Sequence, residues 1–149
     1  MLFRSRLLLP FLVATGFTLA SCEKEAPSPS ATTLLDHRWL LTQVDGVALP
    51  PTTAANTSYL EFVDLGHCVV GLGPCNNFSS RFTLGSAGQQ LHITAPIPTR
   101  ATCPAQELET RYLTRLAGTA RYEISGPELR LYDGASSAPR LVFRQAAGQ

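Results

Sequence analysis

Four cysteines, Cys22, Cys68, Cys75 and Cys103, and three histidines, His37, His67 and His92, are the residues of this 149-residue chain best suited to chemistry. Cys75 stands in Gly71-Leu72-Gly73-Pro74-Cys75-Asn76-Asn77-Phe78, surrounded by residues that form turns. A thiol there can be a nucleophile, a metal ligand, half of a disulfide or a buried filler. Nucleophilic catalysis needs a base beside it, and spacing sets no histidine next to a thiol. His67 adjoins Cys68 in sequence, but neighbours on a strand point to opposite faces. Neither a nucleophile elbow nor Cys-x-x-Cys is present. Cys68, Cys75 and Cys103 with one histidine would supply the four S/N ligands that zinc takes, yet no two cysteines show the short paired spacing of zinc ribbons. GLGPCN lacks the third glycine, the lysine and the following helix of a phosphate loop. No catalytic residue, cofactor or metal site is expected.

The use of the thiol depends on the compartment. Arg4 and Arg6 precede an apolar run from Leu7 to Leu19, about 13 residues, the length of a signal-peptide core and short of the ~20 that a spanning helix needs. The run ends in Leu19-Ala20-Ser21-Cys22, which resembles the bacterial lipobox. Residues 1–21 are therefore expected to be a lipoprotein signal peptide, with Cys22 the acylated first residue of the mature protein. Each buried methylene contributes roughly 0.8 kcal/mol and one chain alone holds only marginally, so multiple acylation of Cys22 would anchor the protein without spanning. The expected location is the cell envelope, at the periplasmic or surface face of the outer membrane. Residues 22–33, CEKEAPSPSATT, are Pro/Ser-rich without apolar period and read as a flexible tether. Residues 34–149 are expected to form one domain. The whole chain has twelve basic and eleven acidic residues, net +1. Loss of the leader, with its two arginines, leaves ten against eleven, net −1. That balance lacks the basic excess of nucleic-acid binders.

The elements that must position these residues are mostly strands. HRWLLTQV ends at Asp45-Gly46, a strong hairpin signal, and Val47-Ala48-Leu49 follows. SYLEFV leads through Asp64-Leu65-Gly66 into HCVVGL; FSSRFTL leads through a Gly/Ser turn into QLHIT. Pro96 and Pro98 make the next stretch irregular. RYEIS, ELRLY and RLVFR alternate apolar and polar positions, as antiparallel strands with one buried face do. One segment breaks the period: CPAQELETRYLTRLAG reads as a helix of about four turns, with Pro104 at its first position and Gly118 at its C-cap. Leu108, Tyr112 and Leu116 form its core-facing stripe, and Glu107–Arg111 a supporting i,i+4 pair. Trp39, alone in an apolar strand, reads as core.

Disulfides form and persist in exported proteins. With Cys22 acylated, three thiols remain. A Cys75–Cys103 bridge would tie a turn of the sheet to the start of the helix, closing a loop of about 28 residues, worth roughly 3.6 kcal/mol in chain entropy. Cys68 would then be a small buried hydrophobe.

Trp39-Leu40-Leu41, Gly46, Cys75-Asn76-Asn77-Phe78, Thr99-Arg100-Ala101-Thr102-Cys103 and the C-terminal β pairs, in that order, resemble the META domain of HslJ-like lipoproteins. The likeness covers nearly all of residues 34–143. That family's pattern runs Trp-x-Leu, a glycine, Gly-Cys-Asn with an aromatic two positions beyond, and Thr-x-Met-Ala-Cys before a helix. Here Pro74 replaces the glycine before the cysteine, Ser80 the glycine after the aromatic, and Ala101-Thr102 the Met-Ala pair; Cys68 has no counterpart. The resemblance implies a mainly β (α+β) fold, a small antiparallel β-barrel-like sheet closed by one α-helix. It implies that Cys75 and Cys103 form a staple, and it singles out Trp39, Gly46, Asn76, Phe78 and Thr99. It also implies envelope lipoproteins linked to stress and drug tolerance, with no catalytic residues. Two roles follow: a module that binds or scaffolds an envelope protein, or a barrel that carries a small hydrophobic ligand or inhibits a wall-active enzyme. A carrier needs a dry cavity of roughly 300 Å³ or more. An interaction module needs a filled interior and exposed apolar surface.

Overall fold

The computed structural model describes residues 34–35, 37–50 and 57–147. The expected signal peptide, the tether and Cys22 lie outside these residues. In the first strand, β1 (Arg38–Val44), Trp39 and Leu41 face inward by simple alternation, but Val44 is also buried, three positions on. A register shift between Leu41 and Gln43 against the last strand, β10 (Leu141–Gln145), inserts one residue and restores Val44 to the inner face. Asp45 and Gly46, with φ of 50° and 81°, then turn the chain into the two-residue β2 (Val47–Ala48). Positive φ at both central positions is what a tight hairpin twisted with its strands requires.

β3 (Tyr59–Val63), β4 (Cys68–Leu72) and β5 (Asn77–Leu84) continue as a meander, followed by β6 (Leu91–Ile93) and β7 (Ile97–Pro98). The stretch containing Pro96 and Pro98 is thus not wholly irregular: Ile97 and Pro98 pair with Ser79 and Phe78. After the helix α1 (Gln106–Ala117) come β8 (Arg121–Ser125) and β9 (Glu128–Tyr132). Antiparallel pairing runs β6-β5-β4-β3-β1-β10-β9-β8. The two ends of this order meet: the Leu91 N–H bonds the Ala120 carbonyl at 3.1 Å and the Tyr122 N–H bonds Gln89 at 2.9 Å. The sheet is therefore a nearly closed barrel, which leaves little free strand edge.

The interior is packed. Trp39, Phe62, Phe82, Tyr112, Tyr122 and Phe143 are all essentially inaccessible and belong to one contiguous apolar cluster. Trp39 is anchored further by its indole N–H, 3.1 Å from the Leu34 carbonyl. Phe62 and Phe82 meet edge-on at 5.3 Å. α1 lies across the end of the barrel that carries the β1–β2 and β4–β5 turns, with Arg115 holding Asp45 at 2.8 Å. Tyr112 and Leu116 are fully buried and Leu108 is half-buried. The helix begins later than Pro104: Ala105, at φ −94° and ψ 19°, is its N-cap, and Pro104 lies in the preceding turn. Glu107 and Arg111 make no ion pair within 4 Å; both point into solvent, where ordering two long side chains gains little.

Tyr112 places a hydroxyl in this core with no hydrogen-bond partner among the described residues. Burial pushes its pKa well above the ordinary tyrosine value. Phe78 packs on the same ring edge-on at 5.7 Å. Tyr112→Phe should therefore raise stability by about 1 kcal/mol, because it removes an unsatisfied buried group and keeps the ring. A shift of the urea midpoint to lower concentration would show that the hydroxyl is bonded.

Candidate functional site

The β4–β5 turn, residues 73–76, sits beneath the segment that leads from β7 into α1. Glycine is needed where this turn begins. A Cβ on Gly71 would stand 2.3 Å from the Tyr59 carbonyl and 2.6 Å from the Phe78 ring, and one on Gly73 would stand 2.7 Å from a carboxylate oxygen of Glu109. Cys75 and Cys103 are joined in a disulfide, with Cα atoms 5.7 Å apart, inside the usual range. The bond ties the turn to the residues just ahead of the helix.

Beside the disulfide lies a buried polar cluster. Asn76 is 4% exposed and Glu109 only 1%. One Glu109 oxygen accepts the backbone N–H groups of Cys75 at 2.8 Å and Asn76 at 2.7 Å; the other accepts the Asn76 amide at 2.7 Å. The same amide nitrogen donates to the Ala101 carbonyl at 3.0 Å. The Asn76 side-chain oxygen accepts the Thr99 hydroxyl at 2.9 Å and the Ala101 N–H at 2.6 Å. Asn76 thus makes all four hydrogen bonds its side chain allows. Neither an aspartate, with no donor, nor a flipped amide would fit against the carboxylate. A carboxylate buried without a cation is tolerable because three N–H donors replace its water.

The cluster explains the motif. Asn76 and Thr99 are its polar members, and Phe78 covers Gly71 from the inner face. Ala101 contributes through its backbone alone, so Ala101-Thr102 can stand where the family has Met-Ala. Ser80, in the place of a glycine, sends its hydroxyl to the Thr94 carbonyl at 2.5 Å. Gly46 makes the hairpin, and Trp39 is core; both lie away from the cluster.

Glu109 was absent from the sequence-based site. Its signal was its position: it stands three and seven residues before Tyr112 and Leu116, on the buried face of the helix. Cys68 differs from expectation as well. It is a free thiol, half-buried on the outer face of β4, because Val69 takes the inward position. Of the histidines, the His37 ring lies 3.2 Å from Gln145, while the exposed His67 and His92 lie on the turn before β4 and on β6. Among the described residues no group of His, Cys, Asp or Glu could hold a metal ion, and no helix is long and apolar enough to cross a membrane.

Above the cluster is an exposed face. Thr99, Arg100 and Thr102 border a shallow hollow with Pro98 and Gln106, floored by Asn76 and Glu109. Ile97, 75% exposed, stands next to it. The arrangement can present a rigid loop; it offers no activated nucleophile.

Two solved structures share this fold. An NMR structure of a protein from Burkholderia xenovorans is similar over 92% of this chain and all of its own, with a TM-score of 0.60 and 21% identity. A second NMR structure is similar over 76% of this chain and 92% of its own, with a TM-score of 0.57 and 23% identity. Comparison with curated proteins gives no match. The family model of the META domain matches residues 32–148. This chain belongs to the META domain family.

Proposed function

We propose that this protein is a non-enzymatic envelope lipoprotein whose META domain binds or scaffolds a partner protein, in a role tied to stress or drug tolerance. The observation that carries the binding reading is a buried polar pair, Asn76 and Glu109, placed with the disulfide directly under one exposed loop. The disulfide, Asn76 and Glu109 together fix residues 99–102 from beneath. A loop held in this way loses little entropy on meeting a partner. It offers Ile97 as an apolar contact and Arg100 as a cation. The packed barrel interior favours this role over that of a carrier, which needs an internal cavity. The lipobox and the family resemblance support the envelope and stress assignments.

A photo-crosslinker placed at Arg100 in the full-length protein in growing cells tests the reading. It should trap a discrete partner that a crosslinker at Val47, also exposed, does not trap, and Ile97→Asp should abolish the product. Identical products from both positions, or a product indifferent to Ile97→Asp, would reject the loop as the binding face. A wall-active enzyme in the product would make the protein its inhibitor.

A further inference from the structure

We infer that the end of the barrel opposite the helix docks against the lipid surface that holds the anchor, with Leu65 as the inserting residue. The inference rests on the acylation of Cys22 proposed above. Leu35 bridges Phe62 in parallel, so the chain enters the domain beside the far end of β3. The turn Asp64-Leu65-Gly66-His67 lies at that same end. It is a built turn. The His67 N–H bonds the Asp64 carbonyl at 3.0 Å, the His67 carbonyl accepts the Phe82 N–H at 2.9 Å, and the His67 ring meets Phe82 edge-on at 5.6 Å. This turn holds Leu65 89% exposed. Next to it, Leu35, Phe82 and Leu84, with Asp64, His67 and Thr83, line a shallow hollow, and Leu84 itself is 40% exposed.

A fixed leucine at a turn tip, beside apolar surface, suits insertion into the headgroup boundary, where interfacial segments sit roughly 5–10 Å deep. One such contact is weak for a free domain. Cys22 and Leu34 are twelve residues apart in sequence, a reach of at most about 40 Å. A tether of that length holds the domain near the surface at an effective concentration on the order of millimolar. The weak contact is then populated. Asp64 and His67 flank the tip without a basic excess, so docking needs no anionic lipid. Docked this way, residues 99–102 remain clear on the opposite end.

The acylated full-length protein in zwitterionic phosphatidylcholine vesicles provides the test. Leu65→Cys in a Cys68→Ser background carries an environment-sensitive fluorophore at position 65; Val47→Cys in the same background is the comparison. Position 65 should show blue-shifted emission, quenching by nitroxide lipids and loss of quenching by aqueous iodide, while position 47 shows none of these. Acylation of Cys22, read by mass spectrometry, with position 65 as open to iodide as position 47, overturns the docking alone. An unacylated Cys22 overturns both the anchor and the docking. A blue shift at position 65 before vesicles are added assigns the surface to a second copy of this chain and overturns the lipid assignment.

Discussion

Glu109→Ala is expected to lower the stability of the domain by about 3–5 kcal/mol. The carboxylate is 1% exposed and accepts three N–H groups, two of them backbone donors in the β4–β5 turn. Each donor left buried and unpaired costs about 1–3 kcal/mol, offset in part by water entering the space and by loss of the buried charge. Glu109→Gln keeps the shape but turns an NH₂ toward a donor, so an intermediate loss is expected. Glu107→Ala, two positions earlier on the exposed face, should stay within about 0.5 kcal/mol of the parent. Asn76→Ala should not add its full cost to Glu109→Ala, since the two groups share bonds. Urea unfolding of the four single variants and of the Asn76→Ala/Glu109→Ala double variant checks this. A loss below about 1 kcal/mol for Glu109→Ala would mean that the turn closes without the carboxylate.

Cys75→Ser and Cys103→Ser should each cost about 2–4 kcal/mol, and the double variant no more than either. The bond spans 28 residues, for which loop-closure entropy alone gives about 3.6 kcal/mol. The Cys75 N–H also bonds Glu109, so the turn has a second fastening and should hold its native hydrogen bonds in the reduced form. Denaturation with and without reductant, with peptide mapping, reads both effects. Additive losses in the double variant would mean that each serine acts locally and not through the bond. A Cys68 adduct with either cysteine would replace the pairing.

What could be read from the chain depended on the period of each pattern. The β1–β2 hairpin was legible because Asp45-Gly46 supplies the two positive φ angles such a turn demands. The helix was legible because Leu108, Tyr112 and Leu116 recur every four residues between strands of period two. The partial exposure of Cys68 is not legible in the sequence, because CVVGL is apolar at nearly every position and alternation alone does not tell inside from outside. The packing of the barrel interior was undecided, since strands that line a cavity and strands that line a core alternate alike. Glu109 was hidden for another reason. A glutamate in the first turn of a helix is ordinarily a solvated partner of the helix dipole, and only the fold brings the Cys75 and Asn76 amides to it. Asn76 and Thr99 could be singled out by resemblance, but their direct contact across 23 residues is a product of the folded meander.

Amide hydrogen exchange tests the central claim, that the cysteine turn and the loop above it form one rigid presented unit. The N–H groups of Cys75, Asn76 and Ala101 all end on side-chain acceptors of the cluster. In the folded, oxidised protein they should exchange as slowly as those of the barrel strands, near the limit set by global unfolding, and faster by orders of magnitude in Glu109→Ala. Exchange of these three amides at the rate of exposed turn residues such as 86–88, with the barrel strands still protected, would contradict a preorganised loop and remove the basis for the binding function.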